Sequence, residues 1–513
     1  MKNNAVLIIC LLVSCFIDGQ SLVTYPAPGG YPANKDFTVR VRSPGQKWQD
    51  ISVYLVKVDL VKDARHSPQN SSMAYFDFSG TVEVAVTYNK GPVRLARIRP
   101  LSYDLPSVVK GNTISFLLSQ PRKLSVEVNG DIFHNLQLLA NPIETARPNP
   151  ADSNVIYYGP GIHQVGTVKI AAGKTVYIAG GAIVQGQLLA SHVENVHILG
   201  RGILYQSPVR LANPANAAAG RPGAAPSQRE RRFRNDALTV EFSKNVEING
   251  LIVVPNSYSV LVGQSEQVII RNLSSFSAGG NNDGIDVFCS SGVAIENVFM
   301  RNSDDCIAIY GHRWAYYGNT KNVTVRNSIL WADVAHPILI GTHGDPNRPD
   351  TLDSLRFSNI EILDHNEAQV NYQGCMSINA GDDNMIRNVR FENFHIEDIR
   401  EGQLVNLRVM YNKKYNTTPG RAIEDIYFKN ISYNGTHANL SVIAGYDDAT
   451  RGIKHVVFEN LRINGNLISD TMPGKPAWFQ TSDMARFYVG EHVEGVSFLP
   501  PAEATATAVE SNQ

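Results

Sequence analysis

Four aspartates, Asp283, Asp286, Asp304 and Asp305, fall within the stretch from Asn281 to Tyr310. They lie in the segments Asn281-Asn282-Asp283-Gly284-Ile285-Asp286-Val287-Phe288 and Asn302-Ser303-Asp304-Asp305-Cys306-Ile307-Ala308-Ile309-Tyr310. Each pair borders β-branched or aromatic residues, so at least some of these charges are held on strands. Carboxylates brought close together raise one another's pKa, so one can stay protonated near neutral pH while another stays ionised. An acid beside a base is what glycoside hydrolysis requires. Asn, Asp and Gly are also ordinary turn residues, and Asp286 taken alone reads equally well as part of an acidic turn.

What must position these side chains is a repeat. A phrase of alternating apolar residues ending in Asn recurs with its Asn at 249, 272, 297, 327, 359, 393, 430 and 460, as in Val268-Ile269-Ile270-Arg271-Asn272 and Val389-Arg390-Phe391-Glu392-Asn393. The spacing suits one turn of a solenoid with loops of growing length, no helical period competes, and the segment reads as a parallel β-helix. Asparagines at equivalent turns can bond one another up an internal ladder. Neighbouring strands of such a coil lie about 4.8 Å apart, so Asp283, Asp304 and Asp305 should stack on adjacent coils of one face.

The motifs Asn282-Asp283-Gly284, Asp304-Asp305-Cys306-Ile307-Ala308-Ile309 and His336-Pro337-Ile338-Leu339-Ile340-Gly341 resemble the Asn-Thr-Asp, Asp-Asp and Gly-His-Gly motifs of family 28 glycoside hydrolases, the polygalacturonases. The arrangement is also similar to family 49, the dextranases and isopullulanases. The likeness covers roughly residues 150 to 465. It implies a right-handed parallel β-helix of the pectin-lyase type and an inverting reaction in which Asp304 is the general acid and Asp283 and Asp305 activate water. Inversion calls for carboxyls about 6.5–9.5 Å apart, which stacking on adjacent coils is expected to supply. The sequence departs from the polygalacturonase pattern at the Arg-Ile-Lys motif, where it reads Gly374-Cys375-Met376-Ser377-Ile378-Asn379. Without a cation there, a neutral glycan is the expected substrate, with a pectin-type polymer as the alternative.

His312, Arg313, Trp314, Tyr316 and Tyr317 follow the Asp pair directly. Aromatic faces suit stacking on pyranose rings and Arg suits donation to hydroxyls, so Arg313, Trp314 and Tyr317 are expected to bind substrate together with His336 and Asp286. One of His336 and His343 can orient a carboxylate or a sugar hydroxyl. Asp382-Asp383 and Asp447-Asp448 lack the apolar strand context and read as solvent turns.

With 46 basic and 47 acidic residues, the charge balance gives no reason to expect nucleic acid as a partner. Met1-Lys2 and the apolar run Ala5 to Val13 read as a signal peptide over residues 1–19, too short to span a bilayer, so a secreted monomer is expected. Leu12-Val13-Ser14-Cys15 also fits a lipoprotein box at Cys15. Residues 20–145 hold short alternating runs (Phe37 to Val41, Ile51 to Val58, Thr81 to Val86, Thr113 to Leu118, Lys123 to Val128) and are expected to form a β-sandwich, a domain that family 49 also places before its β-helix. The β-helix is assigned to 146–500 and a low-complexity tail to 501–513, with Ser207 to Asn235 a loop that leaves the coil. Cys289, Cys306 and Cys375 remain beyond the signal region, and Cys306 is expected to be a packing residue. No metal-ligand spacing of Cys and His occurs and no cofactor is implied.

Two other classes fit the fold. A non-catalytic glycan-binding β-helix would carry aromatic platforms without a poised acid. A polysaccharide lyase would need calcium carboxylates and an Arg or Lys base, and no such base appears on the carboxylate coils.

Overall fold

The computed structural model describes residues 21–62, 65–206, 235–448 and 450–502. The expected signal peptide with Cys15, the loop 207–234 with Arg229, Arg231, Arg232 and Arg234, and the tail beyond 502 lie outside these residues.

The chain forms a β-sandwich followed by a parallel β-helix. The sandwich pairs a six-stranded sheet with a five-stranded one. Strands such as Thr113–Leu118 alternate buried and open positions, sending Ile114, Phe116 and Leu118 into the core between the sheets. The two longest strands of the sandwich, Arg65–Ser79 and Asp131–Pro142, are among those that do not show in the sequence pattern. Both are buried on two faces over much of their length, which abolishes the alternation that marks a half-buried strand. One face packs in the sandwich; the other carries Tyr75 and Leu139 onto Ile252, Phe276, Phe299 and Trp331 of the β-helix. Arg301 anchors this junction, donating to both oxygens of Asp333 (2.9 and 3.1 Å) and to Asn135 of the sandwich (3.1 Å).

The β-helix is one continuous 28-stranded sheet from Val155–Tyr158 to Val493–Leu499. Coils stack in register, Val246↔Val268↔Val293↔Val323. Its later coils carry a ladder of inward rings, Phe357, Phe391, Phe428, Phe458 and Phe498, stacked 4.6–5.0 Å apart. The asparagine ladder is present: Asn272 donates to Asn249 (2.8 Å), Asn297 to Asn272 (2.7 Å), Asn393 to Asn359 (2.9 Å) and Asn460 to Asn430 (2.9 Å). It runs up an outer corner, not the interior, because each rung holds a turn with φ between 51° and 59° at positions 272, 297, 327, 359, 393, 430 and 460, and the left-handed conformation that Asn tolerates belongs to corners. Asn272 and Asn430 are half-buried there, and their Nδ2 atoms are spent on the ladder.

Asp382 is not a solvent turn. It is buried and accepts from Thr417 and Thr418, fixing the loop above it, while Asp447 and Asp448 are exposed. Cys289, Cys306 and Cys375 are all free and buried, and burial pushes the Cys306 thiol well up, as a packing residue requires.

Candidate active site

The site is built on one sheet of the β-helix, whose strands Val260–Gly263, Ile285–Phe288, Ile307–Tyr310, Ile338–Gly341, Met376–Ala380 and Val405–Val409 lie side by side. Their first and third residues point into the apolar core, as Ile285, Ile307, Val287 and Ile309 do. The alternate residues face outward in two rows: Leu261, Asp286, Ala308, Leu339, Ser377 and Asn406, then Phe288, Tyr310, Gly341, Asn379 and Arg408. Carried back two residues, the register Ile285↔Ile307↔Ile338 sets Asp283, Asp305 and His336 at one position of three successive coils.

Asp283, Asp304 and Asp305 come together. One oxygen from each lies within 4.8 Å of the others. Stacking on adjacent coils about 4.8 Å apart brings Asp283 beside Asp305, and Asp304 shares a turn with Asp305. Among the described residues these are the three oxygens a cation could bridge. The cationic state of His336 beside them opposes that use.

The three carboxyls are not equivalent. Asp305 accepts from the His336 ring (Nδ1, 2.7 Å), the His336 backbone N–H (3.1 Å) and the Tyr310 hydroxyl (2.9 Å). Asp304 is half-buried and accepts the Asn281 N–H at 3.0 Å and the Asp305 N–H at 3.2 Å. Burial pushes the Asp304 carboxyl up to about 7; Asp305 adds to this, while the Asn281 N–H and His336 oppose it. Its proton therefore persists to near neutrality.

His336 faces acceptors with both ring nitrogens, Asp305 Oδ1 on Nδ1 and the Tyr372 carbonyl on Nε2, so both must carry hydrogen. Burial alone would lower its pKa, but Asp305 beside it, through charge and hydrogen bond, raises it to about 9. The ring is fully buried and sits edge-on to Tyr372. The structure thus places His336 behind Asp305, without surface for a sugar, in contrast to its expected substrate contact. Asp286 is likewise fully buried on the outward row between Leu261 and Ala308 and has no surface to offer substrate. His343 is pushed well down by burial and packs on Tyr310 as a neutral ring.

The aromatic segment after the Asp pair folds beside the same sheet. Trp314 is half-buried against Phe288 (centroids 5.3 Å apart), with the Arg313 guanidinium 4.7 Å from its ring centre. Arg313 Nε is buried with no hydrogen-bond partner among the described residues. Tyr317 stacks on His312 at 4.1 Å and under Arg348 at 4.5 Å, so its faces are largely spent within the protein.

Several residues were not singled out from the sequence. Tyr310 was nameable, standing two residues beyond Ala308 on the outward face. Glu367, buried and raised by that burial, contributes negative charge at Asp304, and Tyr372 supplies the carbonyl that holds His336; both come from an irregular loop with no periodic signal. Beyond the strand that lacks Arg and Lys, Asn379 donates to Ser377 (3.1 Å), Asn406 to Asn379 (3.2 Å) and Arg408 Nε to Asn406 (2.9 Å).

The model of the glycosyl hydrolases of family 28 matches residues 190–472. Endopolygalacturonase B of Aspergillus niger is 26% identical over 207 residues, 39% of this chain and 51% of that protein. The chain spans about half or less of the length of the curated relatives it matches. Among solved structures, Dex49A from Penicillium minioluteum superposes with a TM-score of 0.58 at 14% identity, covering 93% of this chain and 96% of that one, a likeness of fold.

Proposed function

This chain belongs to the glycosyl hydrolases of family 28, and from that premise we propose that it hydrolyses α-glycosidic bonds of a polysaccharide with Asp304 as proton donor and Asp283 and Asp305 as the water-activating bases. The observation that carries the proposal is the asymmetry of the trio: Asp304 holds its proton to about 7, whereas the Asp305 carboxylate accepts from the Tyr310 hydroxyl and from the ring and backbone N–H of His336. Asp304 gives its proton to the leaving glycosidic oxygen as the bond to the anomeric carbon breaks. A water shared by Asp283 and Asp305 attacks that carbon and passes its proton to one of the two. His336 acts through Asp305, keeping it oriented and balancing its charge. Trp314 and Arg313, both half-buried, are assigned to the sugar. Export is assigned on the apolar run Ala5 to Val13.

Inversion is the outcome proposed, since Asp283 and Asp305 stack as a pair able to share one water. Proton NMR of the first-formed product decides: the inverted anomer supports the water mechanism, and the retained anomer makes one Asp a nucleophile.

A neutral glycan is proposed because Ser377 and Asn379, where a cation would stand, are fully buried and bonded to one another. A uronate there would lack charge-assisted bonds worth about 1.5–3 kcal/mol each. The acidic alternative is favoured by Arg408, half-buried on the next coil in register with Asn379. Reducing-end release from dextran, pullulan and polygalacturonate, at low and high salt, separates them. Faster, salt-sensitive cleavage of polygalacturonate overturns the neutral assignment, and unsaturated products from any polymer overturn hydrolysis.

A further inference from the structure

The strand Tyr54–Lys62 of the sandwich carries a fully buried carboxylate, Asp59, that touches the β-helix at the catalytic coils. Its Oδ2 accepts from the Gly279 N–H (3.0 Å), the Ser303 hydroxyl (2.5 Å) and His66 Nδ1 (2.7 Å), and its Oδ1 accepts the Ser67 N–H (3.1 Å). Ser303 Oγ in turn accepts the Gly280 N–H at 2.9 Å. The loop so held is the one that leads into Asp283. Gly279 and Gly280 have φ of +105° and +76°, a backbone only glycine adopts freely, and a Cβ on Gly280 would lie 2.7 Å from His66 Nε2. The next residue is Asn281, whose N–H donates to Asp304, and the residue after Ser303 is Asp304 itself.

We propose that the sandwich is a working part of the active site: Asp59 is a positioning residue that, from the other domain, clamps the Gly279–Gly280 loop to Ser303 and thereby sets the proton donor Asp304. The inference rests on Asp304 being that donor. Two consecutive glycines have the most backbone freedom to lose on ordering, and these two bond outward to Asp59 and Ser303. Asp59 closes both ends of the clamp with one oxygen, and His66 covers the outer side of Gly280. A displacement near 1 Å at a reacting group costs on the order of 100-fold in rate, so loosening the clamp should reach the chemistry while leaving the sugar-binding surface in place.

The test uses the full chain, with reducing-end release from dextran, pullulan and polygalacturonate as probes and hydrogen exchange over 277–283 as a readout independent of substrate. Asp59→Ala is expected to lower kcat about 10–100-fold with KM within about threefold, and to speed exchange in that segment at least about tenfold. Asp59→Asn, which keeps an acceptor toward Gly279 and Ser303, should recover most of the rate, a rescue that a purely structural role would not produce in an already folded variant. Should Asp59→Ala not fold, Ser303→Ala, which removes only the hydroxyl of the clamp, decides, with an expected fall of about tenfold. Folded variants with kcat within twofold of the parent, or unchanged exchange over 277–283, overturn the inference. An inactive Asp304→Asn alongside them confines the failure to the clamp, while an active Asp304→Asn removes the proton-donor reading and the inference with it.

Discussion

Replacing Asp304 with Asn should raise stability as it abolishes activity, and the gain should depend on pH. The native carboxyl keeps its proton to about 7, whereas an unfolded Asp releases it near the ordinary value of 3.8. Between those values the native state binds more protons than the unfolded one, so native stability falls as pH rises through this window and is level above it. The displacement corresponds to about 4 kcal/mol at about 1.36 kcal/mol per pKa unit. Because Asp304 keeps part of its surface in water, screening reduces the realised cost to about 2 kcal/mol. Asn has nothing to titrate, so Asp304→Asn should gain about 2 kcal/mol relative to the parent between pH 4 and 8. Over a chain this long that is a relative rise in the thermal midpoint of roughly 2–4 °C. Calorimetric scans of both proteins across that range measure it, and any constant offset from the altered bond to Asn281 cancels in the pH dependence. Turnover should fall at least about 10³-fold, and the parent's kcat/KM should decline with an alkaline limb near 7. A midpoint difference that stays flat from pH 4 to 8 would refute the reasoning that Asp304 is held protonated by its burial.

Three further outcomes follow from the same geometry. Tyr310→Phe removes the hydroxyl on Asp305 and little else, so turnover should drop about 10–100-fold with the midpoint lowered by no more than about 2–4 °C, as steady-state rates and calorimetry would show. His336→Gln should lose a charge-assisted bond; since the native His336 pKa is raised to about 9 from 6.5, the stability it contributes is full below 6.5 and lost as pH rises through 9, and the parent's thermal advantage over the variant should shrink across that interval. Phe428→Ala opens a gap in the ring ladder between Phe391 and Phe458 and should cost about 3–5 kcal/mol in denaturant unfolding, with kcat per folded molecule unaltered.

The recurring Asn phrases determined the β-helix, and the intervals between Asp283, Asp304 and Asp305 determined that they share a face, because a coil returns each position to the same side after one turn. Which side chains of Ile307–Tyr310 enter the core was decided by the structure, since all four residues are apolar and show no alternation. Only the tertiary structure decided that His336 stands in register with Asp305, since the loops between coils vary in length and hide the correspondence. Only it decided that the asparagine ladder runs outside the coil, that Asp286 has no open surface, and that one oxygen from each of the three carboxyls lies within 4.8 Å of the others. Periodicity says which face a residue takes, whereas separation and burial depend on rotamers and on what packs above the strand. Asp59 is the clearest case: 244 residues before Ser303 and without any motif, it meets the loop that leads into Asp283 because the sandwich and the β-helix bury apolar faces against each other.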